Sequence, residues 1–179
     1  MSATPPPALE VVGVHVALQG KPVLRDLSCS LADGECRAVV GLNGAGKTTA
    51  LRVILGMLRP NAGRVLLYGR DIASTSRDVW RQVGHLVETP FSYPELTARQ
   101  NIEAATRLHG ADPEHTGRAV ERMSEVLALT GWLDVPVRRL SLGTRQKVGL
   151  VGALVHEPNV VVLDEPTNGL DPLAVVGFR

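Results

Sequence analysis

Along the first half of the chain, apolar residues either alternate with polar ones or come in short runs cut by glycine. Leu27, Cys29 and Leu31 alternate with Ser28 and Ser30, a period-two pattern that predicts a strand stopping at Ala32-Asp33-Gly34. Cys36–Val40 is a short apolar run ending at Gly41 and predicts another strand, followed by a helix from Lys47 to about Leu58. Arg59–Gly63 reads as a turn, Arg64–Tyr68 as a strand closed by Gly69, and Val83–Val87 as one more short strand.

Further on, the period becomes helical. Thr97-Ala98-Arg99-Gln100 fits a capping box and opens a helix to about His109. Asp112-Pro113 places a capping carboxylate before a proline, predicting a helix to Gly131. Ser141 caps a third helix through Val155, which Pro158 ends. Val160–Leu163 is an unbroken aliphatic run, as expected of a strand buried on both faces of a parallel sheet. This alternation predicts an α/β domain with a mainly parallel sheet and a helical insert over residues 90–140 or so.

Composition narrows the function classes. Nineteen Lys+Arg against eighteen Asp+Glu leave a formal net charge of +1, so bulk charge gives no support to a nucleic-acid partner. Two Trp, two Tyr and two Phe are too few for a platform that stacks single strands. The longest uncharged apolar run, Val148–Val155, is far shorter than the roughly 20 residues that span a bilayer. The start, Met1 to Pro7, has neither a basic nor an apolar signal region and reads as a Pro-rich extended tail over residues 1–8. Cys29 and Cys36 make no disulfide framework and are expected as reduced core residues, which points to the cytosol.

The candidate chemistry begins at Gly41-Leu42-Asn43-Gly44-Ala45-Gly46-Lys47-Thr48, with Thr49 following. This matches a phosphate-binding loop in full, with a strand expected before it and a helix after it. Glycines let successive backbone N–H groups turn inward as an anion nest, and the helix start adds its positive end. Lys47 would reach the β- and γ-phosphates of a nucleotide, and the Thr48 hydroxyl would ligate Mg2+. Asp164-Glu165 follows the Val160–Leu163 strand, at the edge where α/β sheets bind ligands. Asp164 would hold the metal and Glu165 would orient and deprotonate the attacking water. Alone, an Asp-Glu pair there is only a helix-start signal.

Leu140-Ser141-Leu142-Gly143-Thr144-Arg145-Gln146 resembles the signature motif of ABC ATPases, and Asn168-Gly169-Leu170-Asp171 resembles that family's D-loop. The resemblance runs from Leu9 to Arg179 and implies a P-loop NTPase core with an N-terminal antiparallel β subdomain. It implies ATP and Mg2+ as ligands, with Ser141, Leu142, Gly143, Gln146 and Asp171 contributing to nucleotide sites shared with a second ABC ATPase domain, identical or not. It also implies an integral-membrane permease docked near Pro90–Asn101, and a cytoplasmic protein peripheral at the inner face of the membrane.

Three departures from the family pattern matter. Glu88 stands where the family usually has glutamine; it could ligate the metal and contact the water, or be a solvated loop carboxylate. With Ser141-Leu142-Gly143, it resembles bacitracin- and lantibiotic-type exporters, implying export of a drug or antimicrobial peptide. Leu18 stands where an aromatic usually stacks on adenine. Pro172–Arg179 alone follow Asp171, where the family continues with a strand and a switch histidine. The resemblance therefore implies an ATPase domain over 9–179 that is incomplete at its C-terminus. The alternative is a truncated remnant that binds nucleotide without turnover.

Overall fold

Two-residue turns dictate the pairing in the first part of the chain. Strand β1 (Leu9–Leu18) and strand β2 (Lys21–Leu31) are joined by Gln19 and Gly20, both with positive φ, a geometry that matches the twist of a tight antiparallel hairpin. After helix α1 (Lys47–Ile54), strand β3 (Ala62–Leu67) pairs with the other edge of β1, and β4 (Arg70–Asp71) closes on β3. The order is β2-β1-β3-β4, with every pairing antiparallel. Val11, Val14, Val16, Val65 and Leu67 are buried on this sheet, and α1 lies against β2 and buries Ala50, Leu51, Val53 and Ile54.

The structure, a computed structural model, describes residues 5–88 and 92–167, and for Arg77 and residues 113–115 the backbone alone. The chain divides into two compact units after Val79, with the short helix α2 (Arg77–Trp80) crossing the division. In the second unit, β5 (Val83–Leu86) and β6 (Val160–Leu163) pair in parallel, from Val83 opposite Val160 to Leu86 opposite Leu163. Between them come α3 (Ala98–Leu108), α4 (Pro113–Val126), two 3-10 turns at Thr130–Trp132 and Val137–Arg139, and α5 (Leu142–Leu154). These helices share a core around Ile102, Val120, Leu129, Leu133, Leu150 and Val151. The capping box of α3 is formed in both directions: Gln100 N donates to Thr97 Oγ1 at 3.2 Å and Thr97 N donates to Gln100 Oε1 at 2.9 Å.

Several expectations are corrected. The sheet is not mainly parallel: among the described residues, parallel pairing is confined to β5 and β6. Cys36–Val40 is irregular rather than a strand, because no strand pairs with it among the described residues; Val40 is 90% exposed. The cysteines are free as expected, but Cys29 is half-buried and Cys36 exposed, so neither is a core residue. Burial pushes the Cys29 thiol pKa up, opposed by the nearby Arg37. Strand β6 is covered on one face, with Val160 and Val162 buried and Val161 41% exposed. Helix α1 ends at Ile54, ahead of Gly56 with its positive φ, and α4 ends at Val126, two residues before Ala128 enters the same left-handed region. The Pro-rich segment is anchored at its end: Ala8 is buried and its carbonyl accepts from Tyr68 N at 3.1 Å.

Gly84 shows how closely β5 meets α5. A Cβ there would run into the carbonyl oxygen of Ala153 and lie 2.7 Å from Pro158 Cγ. Backbone cannot yield as a side chain can, so Gly84→Ala is expected to cost about 3 kcal/mol or more in urea denaturation. Beside this contact the rings of His109 and His156 stack, with centroids 3.9 Å apart and planes 6° from parallel. Both ring nitrogens of His156 are buried. Burial first, then His109 and more weakly His85, push its pKa down to about 4, against a smaller opposing effect of the Val83 backbone. The unfolded chain protonates this ring near pH 6.5, roughly the ordinary value, so the folded state binds fewer protons below that pH. The stability tied to a neutral His156 is complete above pH 6.5 and is expected to fall between pH 6.5 and about 4. Denaturation midpoints across this range should decline less steeply in His156→Phe.

Candidate functional site

In the first unit the glycine-rich stretch forms a compact loop at the start of α1. Ala45 N donates to Leu42 O at 3.1 Å, and Gly44 (φ 81) and Gly46 (φ 90) turn the backbone through the left-handed region. Gly46 is the N-cap of α1 and supplies no side-chain cap, in contrast to Thr97 and Ser141 at the starts of α3 and α5. A helix start without a capping side chain leaves its backbone donors open to water or to an anion. Lys47 folds back over the loop, its Nζ donating to Gly41 O at 2.8 Å and Leu42 O at 3.0 Å. The ammonium is thus held above the nest with the loop carbonyls fixing its position. Gly41 to Ala45 are exposed, while Gly46, Lys47, Thr48 and Thr49 are half-buried. Leu18 is 39% exposed at the end of β1.

In the second unit the parallel register brings three carboxylates to one sheet edge. Leu86 lies opposite Leu163, and Asp164 N extends the ladder by donating to Leu86 O at 2.7 Å. Glu88 and Glu165 each stand two residues beyond their strand, on neighbouring strands in matching positions. Both have positive φ, 64° for Glu88 and 46° for Glu165. A non-glycine residue in that region costs on the order of 1–3 kcal/mol, and such strain clusters at functional sites. Glu88 and Glu165 are exposed and Asp164 is half-buried.

The start of α5 is also built as expected: Ser141 Oγ accepts from Thr144 N at 3.1 Å and lies 2.8 Å from Thr144 Oγ1. Leu142 is 64% exposed and Gly143 half-buried, so this turn presents backbone to solvent. Gln146 is placed differently from its expected nucleotide contact. It is 6% exposed and faces the core side of α5. Asp171 and the rest of the Asn168–Asp171 motif lie outside the described residues.

Two residues here escaped sequence reasoning. Asn101, buried on α3, knots the preceding loop: its Oδ1 accepts from Tyr93 N at 2.7 Å, and its Nδ2 contacts the carbonyls of Tyr93, Leu96 and Thr97 at 2.9–3.2 Å. Arg145 on α5 binds the backbone carbonyls of Val137, Arg138 and Leu140. An asparagine four residues after a capping threonine was the available hint for the first; nothing local marked the second.

Thr48 in the first unit, and Asp164 and Glu88 in the second, each carry a hard oxygen of the kind Mg2+ takes, and Mg2+ is ordinarily held by one or two carboxylates with phosphates and water. Among the described residues no cluster of three or more His, Cys, Asp or Glu forms a self-contained metal cage.

Comparison with known proteins identifies the family of the chain. A family profile described as ABC transporter matches residues 24–168. The chain is 35% identical over 153 residues to the bacitracin transport ATP-binding protein BcrA of Bacillus licheniformis, covering 86% of this chain and 49% of that protein. It is 36% identical over 167 residues to the Nod factor export ATP-binding protein I of Bradyrhizobium diazoefficiens, covering 93% and 55%. The chain thus spans about half the length of the curated relatives it matches. A solved structure described as the ATP binding subunit of an ABC transporter superposes with a TM-score of 0.87 at 32% identity, over 95% of this chain and 71% of that one.

The loop geometry makes Gly46 the most demanding position in the glycine-rich loop. A Cβ there would meet Leu24 Cδ2 at 3.0 Å and Val23 O at 3.3 Å, at a φ that disfavours any side chain. Gly46→Ala is expected to lower stability by about 1–3 kcal/mol in urea denaturation followed by circular dichroism.

Proposed function

Because the chain belongs to the ABC transporter family, we propose that it binds and hydrolyses ATP to power export, with a drug or antimicrobial peptide as cargo. The observation that carries this reading is the glycine-built start of α1, without a side-chain cap and with Lys47 held across the loop. The printed names of the relatives, bacitracin transport and Nod factor export, support the export direction.

Residues 41–49 bind the phosphate chain: backbone N–H groups of the loop and α1 point at the oxygens, and Lys47 neutralises the β- and γ-phosphates. Thr48, Asp164 and Glu88 would hold Mg2+, which supplies charge compensation for the phosphates. Glu165 accepts the proton of the attacking water and orients its lone pair in line with the leaving group. Its strained backbone fixes that carboxylate at the sheet edge. Ser141, Leu142 and Gly143 offer the start of α5 to the γ-phosphate of a nucleotide held by a second ABC ATPase domain. Asp171 and the residues beside it would lie at the same shared interface.

No described helix is long and apolar enough to cross a membrane, so in this reading the passage of cargo belongs to an integral-membrane permease. The permease seats near residues 90–101, and the ATPase works at the inner face of the membrane. Lys47→Ala is expected to weaken Mg-ATP binding at least tenfold by calorimetry, through loss of a charge-assisted contact. Glu165→Gln should keep binding while phosphate release falls about 100-fold or more. A chain that binds Mg-ATP but releases phosphate no faster than Glu165→Gln would be a nucleotide clamp without turnover.

A further inference from the structure

Residues 93–99 and 133–138 run side by side as a short irregular ribbon. Ala98 N donates to Val135 O at 3.1 Å, Arg99 N to Leu133 O at 2.9 Å, Val137 N to Leu96 O at 3.0 Å and Arg138 N to Pro94 O at 3.0 Å. Thr97 and Pro136 form an isolated antiparallel bridge, and Arg138 Nε meets Glu95 Oε2 at 3.1 Å. Asn101 holds the Tyr93–Thr97 side of this ribbon rigid from within.

The other side of the ribbon is gripped from α5. Arg145 Nε, with one hydrogen, is shared between Val137 O and Leu140 O, each at 3.1 Å, and Nη2 donates to Arg138 O at 3.0 Å. The guanidinium is half-buried and lies one turn beyond Ser141, so the grip fixes the first turn of α5. Val137 and Arg138 therefore work in both directions: their N–H groups bind the 94–96 loop and their carbonyls bind Arg145.

We propose that Arg145 is a positioning residue that makes the loop at Pro94–Thr97 and the start of α5 at Ser141 move as one body. The functional half of this statement rests on the reading above, in which the permease seats on that loop and Ser141 faces nucleotide. A displacement at the loop then reorients the Ser141 turn directly, with no slack at Val137–Leu140. Lysine cannot replace arginine fully, since an ammonium is a point charge without the planar fork of donors that reaches these three carbonyls.

The test is made on the full chain, first without nucleotide, by residue-resolved amide hydrogen exchange. In Arg145→Ala, exchange at Val137, Arg138 and Thr144 should quicken at least tenfold while Leu150, in the middle of α5, stays within twofold. Arg145→Lys should fall between parent and alanine variant, and it serves alone if the alanine variant does not fold. Unchanged exchange at Val137 and Arg138, or equal acceleration at Leu150, would overturn the proposal. The second arm adds Mg-ATP and measures association of two copies by sedimentation. Arg145→Ala should weaken ATP-driven association at least tenfold, with the affinity of a single chain for ATP within twofold of the parent. A parent that binds no ATP defeats the proposed function and leaves the exchange arm to decide the clamp. A parent that associates no better than Arg145→Ala defeats the positioning role.

Discussion

The register of the β5–β6 ladder is the constraint on which the acidic edge depends. Side chains alternate along a strand, so a slip of one residue would take Glu88 and Glu165 out of their matching positions and turn the buried face of one strand outward. Leu86 opposite Leu163, with Asp164 N on Leu86 O, holds the ladder to its last residue. The contact of Gly84 with the Ala153 carbonyl sets how closely α5 can approach β5. The same packing that buries Leu150 and Val151 thus fixes the carboxylates and the helix bearing Ser141 within one unit.

Helix starts divide the labour. Thr97 and Ser141 satisfy the first turns of α3 and α5 with their own oxygens, which makes those helices self-sufficient. At α1 the equivalent position is glycine, and nearby charge comes from a lysine rather than a carboxylate. That helix start therefore favours an anion from outside the chain. The oxygen donors sit in the other unit, on the strand ends, where an ion of opposite sign is favoured.

Much of this could be read from sequence because it is local. The glycine spacing around Lys47, the capping box at Thr97, the cap at Ser141 and the aliphatic run Val160–Leu163 each report a short-range requirement, and each has its structural counterpart. What could not be read depends on distant partners. Cys36–Val40 has the composition of a strand, but a strand exists only where another lies alongside. Val161 is as apolar as its neighbours, yet the face it occupies is open. Gln146 lies in the motif but on the inward side of the helix. Arg145 spends its hydrogen bonds on carbonyls whose positions are set by loops, so no local pattern announces it.

The irregular stretch before the phosphate loop has a consequence for handling the protein. Val39, Val40 and Leu42 are 53%, 90% and 86% exposed, on backbone that no strand pairs with among the described residues. Apolar side chains on extended, ladder-free backbone are a template for adding a foreign strand. At high concentration, chains can therefore adhere through this segment with no nucleotide involved. Such adhesion would grow with salt, which strengthens apolar burial and screens charge.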